Sequence, residues 1–174
     1  TSDAGVFVQL IDAGGAKIGS PVQVNTRETS TQSQPSIAAL EGGGFVVIYE
    51  SARGDDFSFT TSNGVYGQIF NAAGAPVGGE FLVNGIVDST QSEPYGSAQP
   101  GGGFTVVFAE FNNTDGSGGG VFTQSFDADG TRLDGQVQIN EETSGTQDRA
   151  SIAALGNGNY VVAYDSATSG SAGD

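Results

Sequence analysis

The chain has 174 residues, with 29 Gly, 20 acidic residues against 5 basic ones, and no Cys, His, Met or Trp. A net charge of −15 excludes nucleic acid and anionic membrane surfaces as partners, because both need clustered Lys and Arg. The missing Cys and His exclude disulfides, thiolate metal sites and Ser–His or Cys–His nucleophiles, and no run of 18 apolar residues is available for membrane insertion.

In chain order, "TSDAG" at the start reads as a linker, with no signal peptide. It is followed by "GVFVQLIDAGGAKIGSPVQVN" at Gly5 to Asn25, which returns as "GVYGQIFNAAGAPVGGEFLVN" at Gly64 to Asn84 and as "GVFTQSFDADGTRLDGQVQIN" at Gly120 to Asn140. Ungapped, the repetition covers residues 5–49, 64–108 and 120–164. A sequence unit said three times marks a supersecondary element that buries its apolar face against copies of itself.

Each unit opens with a strand that alternates with period two: "VFVQLI", "VYGQIF" or "VFTQSF". One face carries Phe7, Gln9 and Ile11; Tyr66, Gln68 and Phe70; or Phe122, Gln124 and Phe126. An Asx residue then begins a turn that ends in Gly15, Gly74 or Gly130, as a type I turn closing into a left-handed glycine requires. The second strand is "PVQVN", "EFLVN" or "QVQIN", and the third is "SIAAL", "YGSAQ" or "SIAAL". Gly-rich turns lead into the fourth: "FVVIY", "FTVVF" or "YVVAY". Apolar on both faces, that fourth run should be the most buried strand. The joins differ in length, fourteen residues between Tyr49 and Gly64 and eleven between Phe108 and Gly120.

The fold class expected is therefore all-β: three tandem four-stranded antiparallel units resembling β-propeller blades, with an open stack of sheets or a β-sandwich as the alternative. Three blades are too few for a closed ring of the usual size, so the segment reads as part of a longer array. A buried Gln needs its amide satisfied, and Gln9, Gln68 and Gln124 are expected to clamp the first strand to a neighbouring loop, with Asn25, Asn84 and Asn140 as partners.

These units resemble repeats of very large secreted bacterial proteins of the RTX, hemolysin-type calcium-binding class. The motifs that carry the resemblance are "GVYGQ" with its Asx–Gly turn and terminal "VN", the stretch "QPSIAAL", and the acidic Gly/Ser joins. The resemblance implies an adhesin-like protein at the bacterial surface or released outside the cell, folded in calcium. The tandem "GGxGxD" calcium repeats of that class are missing here, so those sites do not carry over.

Calcium is the candidate cofactor. Oxygen ligands for it occur in the turn "DADGTRLD" at Asp127, Asp129 and Asp134, and in the joins at Asp55, Asp56, Asn113 and Asp115. The "RGD" at Arg53 to Asp55 is a chance match of three residues. Tyr49, Tyr66 and Tyr164 are the candidates for stacking on a sugar ring. Glu28, Glu50, Glu110 and Asp165 could pair for glycoside cleavage. After the fourth strand, however, the units read Glu50, Ala109 and Asp165, so no carboxylate recurs there. The reading that follows is a non-catalytic structural or adhesive module, partnered by copies of itself, by neighbouring repeats or by glycans. Its alternatives are a lectin-like binder and part of a polysaccharide-acting enzyme.

Overall fold

A computed structural model describes residues 5–26, 30–52, 62–86, 89–111 and 118–167. Twelve strands are seen among them: β1 (Phe7–Ile11), β2 (Lys17–Gln23), β3 (Gln32–Ala39), β4 (Phe45–Ser51), β5 (Gly64–Phe70), β6 (Pro76–Leu82), β7 (Thr90–Ala98), β8 (Phe104–Phe111), β9 (Gly120–Phe126), β10 (Val137–Gln138), β11 (Thr146–Ala154) and β12 (Tyr160–Ala167). The described residues contain no helix, so the all-β class is as expected. They form four antiparallel sheets, ordered β1-β2, β3-β4-β5-β6, β7-β8-β9-β10 and β11-β12, with no closed barrel. This is the stacked arrangement named as the alternative.

The sheets are out of phase with the sequence units. Each four-stranded sheet joins the second half of one unit to the first half of the next. The physical reason lies in the fourth strand. Because β4 is apolar on both faces, it is stable only inside a sheet, and the first strand of the following unit supplies its second neighbour. The β4–β5 ladder runs from Phe45↔Phe70 to Ser51↔Gly64, and β8–β9 repeats it from Phe104↔Phe126 to Glu110↔Gly120. Cross-strand rings pair at the same places: Phe45 with Phe70 at 5.1 Å, and Phe104 with Phe126 at 5.0 Å, both stacked.

Three apolar layers cement the stack. Val6, Val8 and Val24 pack on Val47, Tyr49 and Phe70 between the first two sheets. Val46, Ile48 and Ile69 meet Phe104, Val106 and Phe126 between the second and third. Val107 and Val121 meet Ala150, Ile152 and Val162 between the third and fourth. Neighbouring sheets also touch through β3, β7 and β11, which lie side by side. At the far ends the turns obey the sequence: Gly15, Gly74 and Gly130 have φ of 85°, 77° and 83°, and the carboxylate or amide oxygen of Asp12, Asn71 or Asp127 accepts two backbone N–H groups in each turn.

Two expectations need correction. β12 is not the most buried strand of its unit; it is largely exposed, whereas β4 and β8 are buried. The sequence "YVVAY" is as apolar as its siblings, but no described strand pairs with its outer edge and no described sheet covers its outer face. The glutamine clamps exist, yet their partners are main-chain carbonyls. Gln9 Nε2 donates to Leu10 and Ile18, Gln68 Nε2 to Ile69 and Val77, and Gln124 Nε2 to Ser125 and Asp134. In the first two units each clamp bridges a register shift of the hairpin, between Val8 and Leu10 and between Gly67 and Ile69.

The asparagines do a separate job. Asn25, Asn84 and Asn140 Oδ1 accept the N–H of Val6, Val65 and Val121 at 2.8–2.9 Å, all buried. Asn25 and Asn140 also donate to the side-chain oxygens of Gln32 and Gln147. Removing one of these amides strands a buried N–H, which costs about 1–3 kcal/mol. Asn140→Ala is therefore expected to lower stability by an amount in that range in urea unfolding.

Candidate functional site

The candidate site grows from a defect repeated three times. Near the start of each of β3, β7 and β11 the ladder slips, between Ser33 and Ser36, Ser92 and Tyr95, and Asp148 and Ser151. Inside each slip one non-glycine residue is held in the left-handed region: Gln34 at φ 51°, Glu93 at 53° and Arg149 at 50°. Such a conformation costs on the order of 1–3 kcal/mol, and the bulge re-aims the side chain. The three positions are equivalent in the repeats, yet they carry an amide, a carboxylate and a guanidinium.

Those bulges gather a polar chain across three sheets. Glu50, near the end of β4, accepts hydrogen bonds from Gln34 Nε2 at 3.0 Å, from Asn63 Nδ2 and from the backbone of Glu93. The Glu93 carboxylate in turn accepts the backbone N–H of Arg149 at 2.7 Å. The Arg149 guanidinium reaches Asp165 on β12 at 3.5 Å, an exposed pair that adds little stability. Glu50 itself is buried. Burial raises its pKa above the ordinary 4.5, and the nearby Glu93 charge pushes the same way, while the bond from Asn63 partly opposes them. The result is a carboxyl group that holds its proton more readily than usual, beside a second carboxylate.

Of the residues singled out by sequence, Glu50 and Asp165 belong to this cluster. Glu110 lies elsewhere, fully buried and accepting from Gln136 Nε2. Glu28 and the join residues Asp55, Asp56, Asn113 and Asp115, along with the RGD stretch, lie outside the described residues. Glu93, Gln34 and Arg149 were missed. Their signal was present as a single unit position where otherwise similar strands read Gln, Glu and Arg.

The tyrosines do not form a sugar platform together. Tyr49 is 1% exposed, stacks on Tyr66 at 6.2 Å and donates its hydroxyl to Glu80. The void beside Tyr49 and Tyr66 measures about 10 Å³, room for one water at most. Tyr164 alone is open, at 37% exposure. The turn acids are also occupied differently from the expectation. Asp127 closes its turn by accepting from the N–H of Asp129 and Thr131, as Asn71 does without a charge, and Asp134 meets Gln124 through its main-chain carbonyl. Among the described residues no group of three or more acidic side chains is placed to hold a metal ion.

No family model matches the chain and no curated protein matches it, so the likeness to RTX repeats rests on the quoted motifs alone. Among solved structures the fold is similar to that of the endo-arabinase from Bacteroides thetaiotaomicron VPI-5482, with a TM-score of 0.54 and 13% identity. The similarity covers 93% of this chain and 66% of that one, so the chain spans just under two thirds of that enzyme's length. At this identity the likeness is one of fold. It corrects the expectation of a chain with no enzymatic role, since a similar fold is found in an endo-arabinase. The physical reason for the misreading is plain. Absence of a recurring carboxylate argued against catalysis only if every unit had to carry the site, and a single constellation drawn from several units suffices.

The raised pKa of Glu50 carries a sign. Between its unfolded and folded values the unfolded chain binds fewer protons, so this group makes folding less favourable as pH rises through that interval. Glu50→Gln removes the penalty while keeping a hydrogen-bonding side chain. Its stability relative to the parent is expected to improve as pH rises from the ordinary carboxyl pKa to the raised one and to level off above it in denaturant titrations; a gap that stays flat or narrows across that interval contradicts the assignment.

Proposed function

We infer that the chain is part of a polysaccharide-acting enzyme, with the Glu50–Glu93 pair as its reactive centre. The observation that carries this reading is the juxtaposition of two carboxyl groups in different environments on neighbouring sheets, one of them buried and with a raised pKa. Glycoside cleavage needs such a division: one carboxylic acid protonates the leaving oxygen, and an ionised partner activates water or attacks the sugar carbon. Glu50 takes the acid role because burial and the neighbouring charge favour its protonated form. Glu93 takes the ionised role, its carboxylate fixed by the Arg149 N–H.

Gln34 and Asn63 are positioning residues that hold Glu50 from both of its oxygens. The fold likeness to an endo-arabinase supports an endo-acting cut within a polysaccharide, and arabinan is the first substrate to try. The expectation of an adhesive module gains no support from that likeness.

The test is release of reducing ends from arabinan and from a panel of other polysaccharides. Activity is expected to fall as pH rises past the raised pKa of Glu50. Glu50→Gln and Glu93→Gln should each lower kcat by about 10²- to 10⁴-fold while the fold stays intact by circular dichroism. An absence of turnover on every polysaccharide, or full activity in both variants, overturns the reading.

A further inference from the structure

The two ends of the stack are complementary, and the chain contains two templates of how they would meet. At one end, no described strand pairs with the free edge of β1, where Phe7 and Ile11 are 58% and 53% exposed. At the other, the outer edge of β12 is equally unpaired, and Val161 is 51% exposed. In sequence, β12 is the third copy of the strand that appears as β4 and β8, and β1 is the first copy of the strand that appears as β5 and β9. Inside the chain those strands pair twice, in one register.

We propose that the β12 edge of one molecule takes the β1–β2 hairpin of a second copy of this chain, completing a four-stranded sheet β11-β12-β1-β2. The register follows from the two internal ladders. Phe45↔Phe70 and Phe104↔Phe126 put Tyr160 opposite Ile11 of the second copy; Val47↔Gln68 and Val106↔Gln124 put Val162 opposite its Gln9; Tyr49↔Tyr66 and Phe108↔Phe122 put Tyr164 opposite its Phe7. The last pairing adds an aromatic contact of the kind seen at Tyr49–Tyr66 and Phe108–Phe122.

An open cavity independently marks the same place. Between the second and third sheets, Phe126 fills the space beside Ile69, Phe81 and Phe104, with ring centroids 5.3 Å from Phe81 and 5.0 Å from Phe104. One sheet further on, the equivalents of Ile69 and Phe104 are Ser125 and Tyr160. There a cavity of about 460 Å³ opens, bounded also by Phe126 and Leu133. The side chain that the repeat would place in it is Ile11 of the second copy. The turn that would roof it is the one ending in Gly15, since the turn at Gly74 lies against Leu10 and the turn at Gly130 lies against Ile69 and Phe81.

The described residues present one edge of each kind, so the contact is head-to-tail, and two such joints close a ring of two copies if the rotation allows. An unpaired edge flanked by apolar side chains is a template for this kind of strand addition.

The experiment uses the whole chain. Sedimentation velocity over micromolar to millimolar concentrations should show a concentration-dependent dimer. Phe7→Asp and Ile11→Asp alter side chains already exposed in the single molecule, so each is expected to keep its circular dichroism and to raise the dimer dissociation constant at least tenfold. Because the parent has no cysteine, register can be read directly by mixing single-cysteine chains under oxidation. Tyr164→Cys should form a mixed disulfide with Phe7→Cys and not with Ile11→Cys. A chain that stays monomeric throughout the range, or one that cross-links equally in both mixtures, overturns the proposal.

Discussion

The whole structure hangs on the needs of one strand type. β4 and β8 expose apolar side chains to both faces and backbone donors and acceptors to both edges, so each is stable only with a strand on either side and a sheet above and below. A single unit cannot provide that environment. The first strand of the following unit closes one edge, the third strand of the same unit closes the other, and neighbouring sheets cover the faces. Sheets that straddle the sequence repeats are the consequence. They tie each unit to the next by hydrogen bonds as well as by packing.

On that frame, repetition and variation divide the labour. Positions that hold the frame are the same in all three units: the clamping Gln9, Gln68 and Gln124, and the capping Asn25, Asn84 and Asn140. Positions at the bulges are shaped alike but chemically different, and beside them a carboxyl with a raised pKa, a second carboxylate and a guanidinium come together. A strained backbone repeated three times is an architectural device. The unlike side chains it presents bring together, across three sheets, a set of groups that no single unit possesses.

Much of this architecture was legible in the residues. Period-two alternation around Gln9, Gln68 and Gln124 marked the first strands, the Asx–Gly pairs marked the turns, and the doubly apolar fourth runs marked the core. Phase was not legible, because an ungapped repeat fixes the length of a unit without fixing which strands share a sheet. The exposure of β12 was hidden for the same reason: "YVVAY" states a preference for burial, and only the pairing decides whether it is met. The site was half visible. Glu50 and Asp165 stood out as carboxylates after the fourth strand but were discounted for not recurring, whereas Glu93 lay in a strand whose bulge no local pattern announces. Tyr49 misled because an aromatic beside polar residues reads the same in a core as on a surface.

The central claim, that each sheet is shared between successive units, is tested most directly by cross-strand nuclear Overhauser contacts in solution. The account predicts contacts linking β4 to β5 and β8 to β9, such as Val47 with Gln68 and Val106 with Gln124, and none linking β2 to β3 or β6 to β7 as ladder partners. Sheets confined to single units, seen as β2–β3 and β6–β7 ladders in place of those contacts, would contradict it.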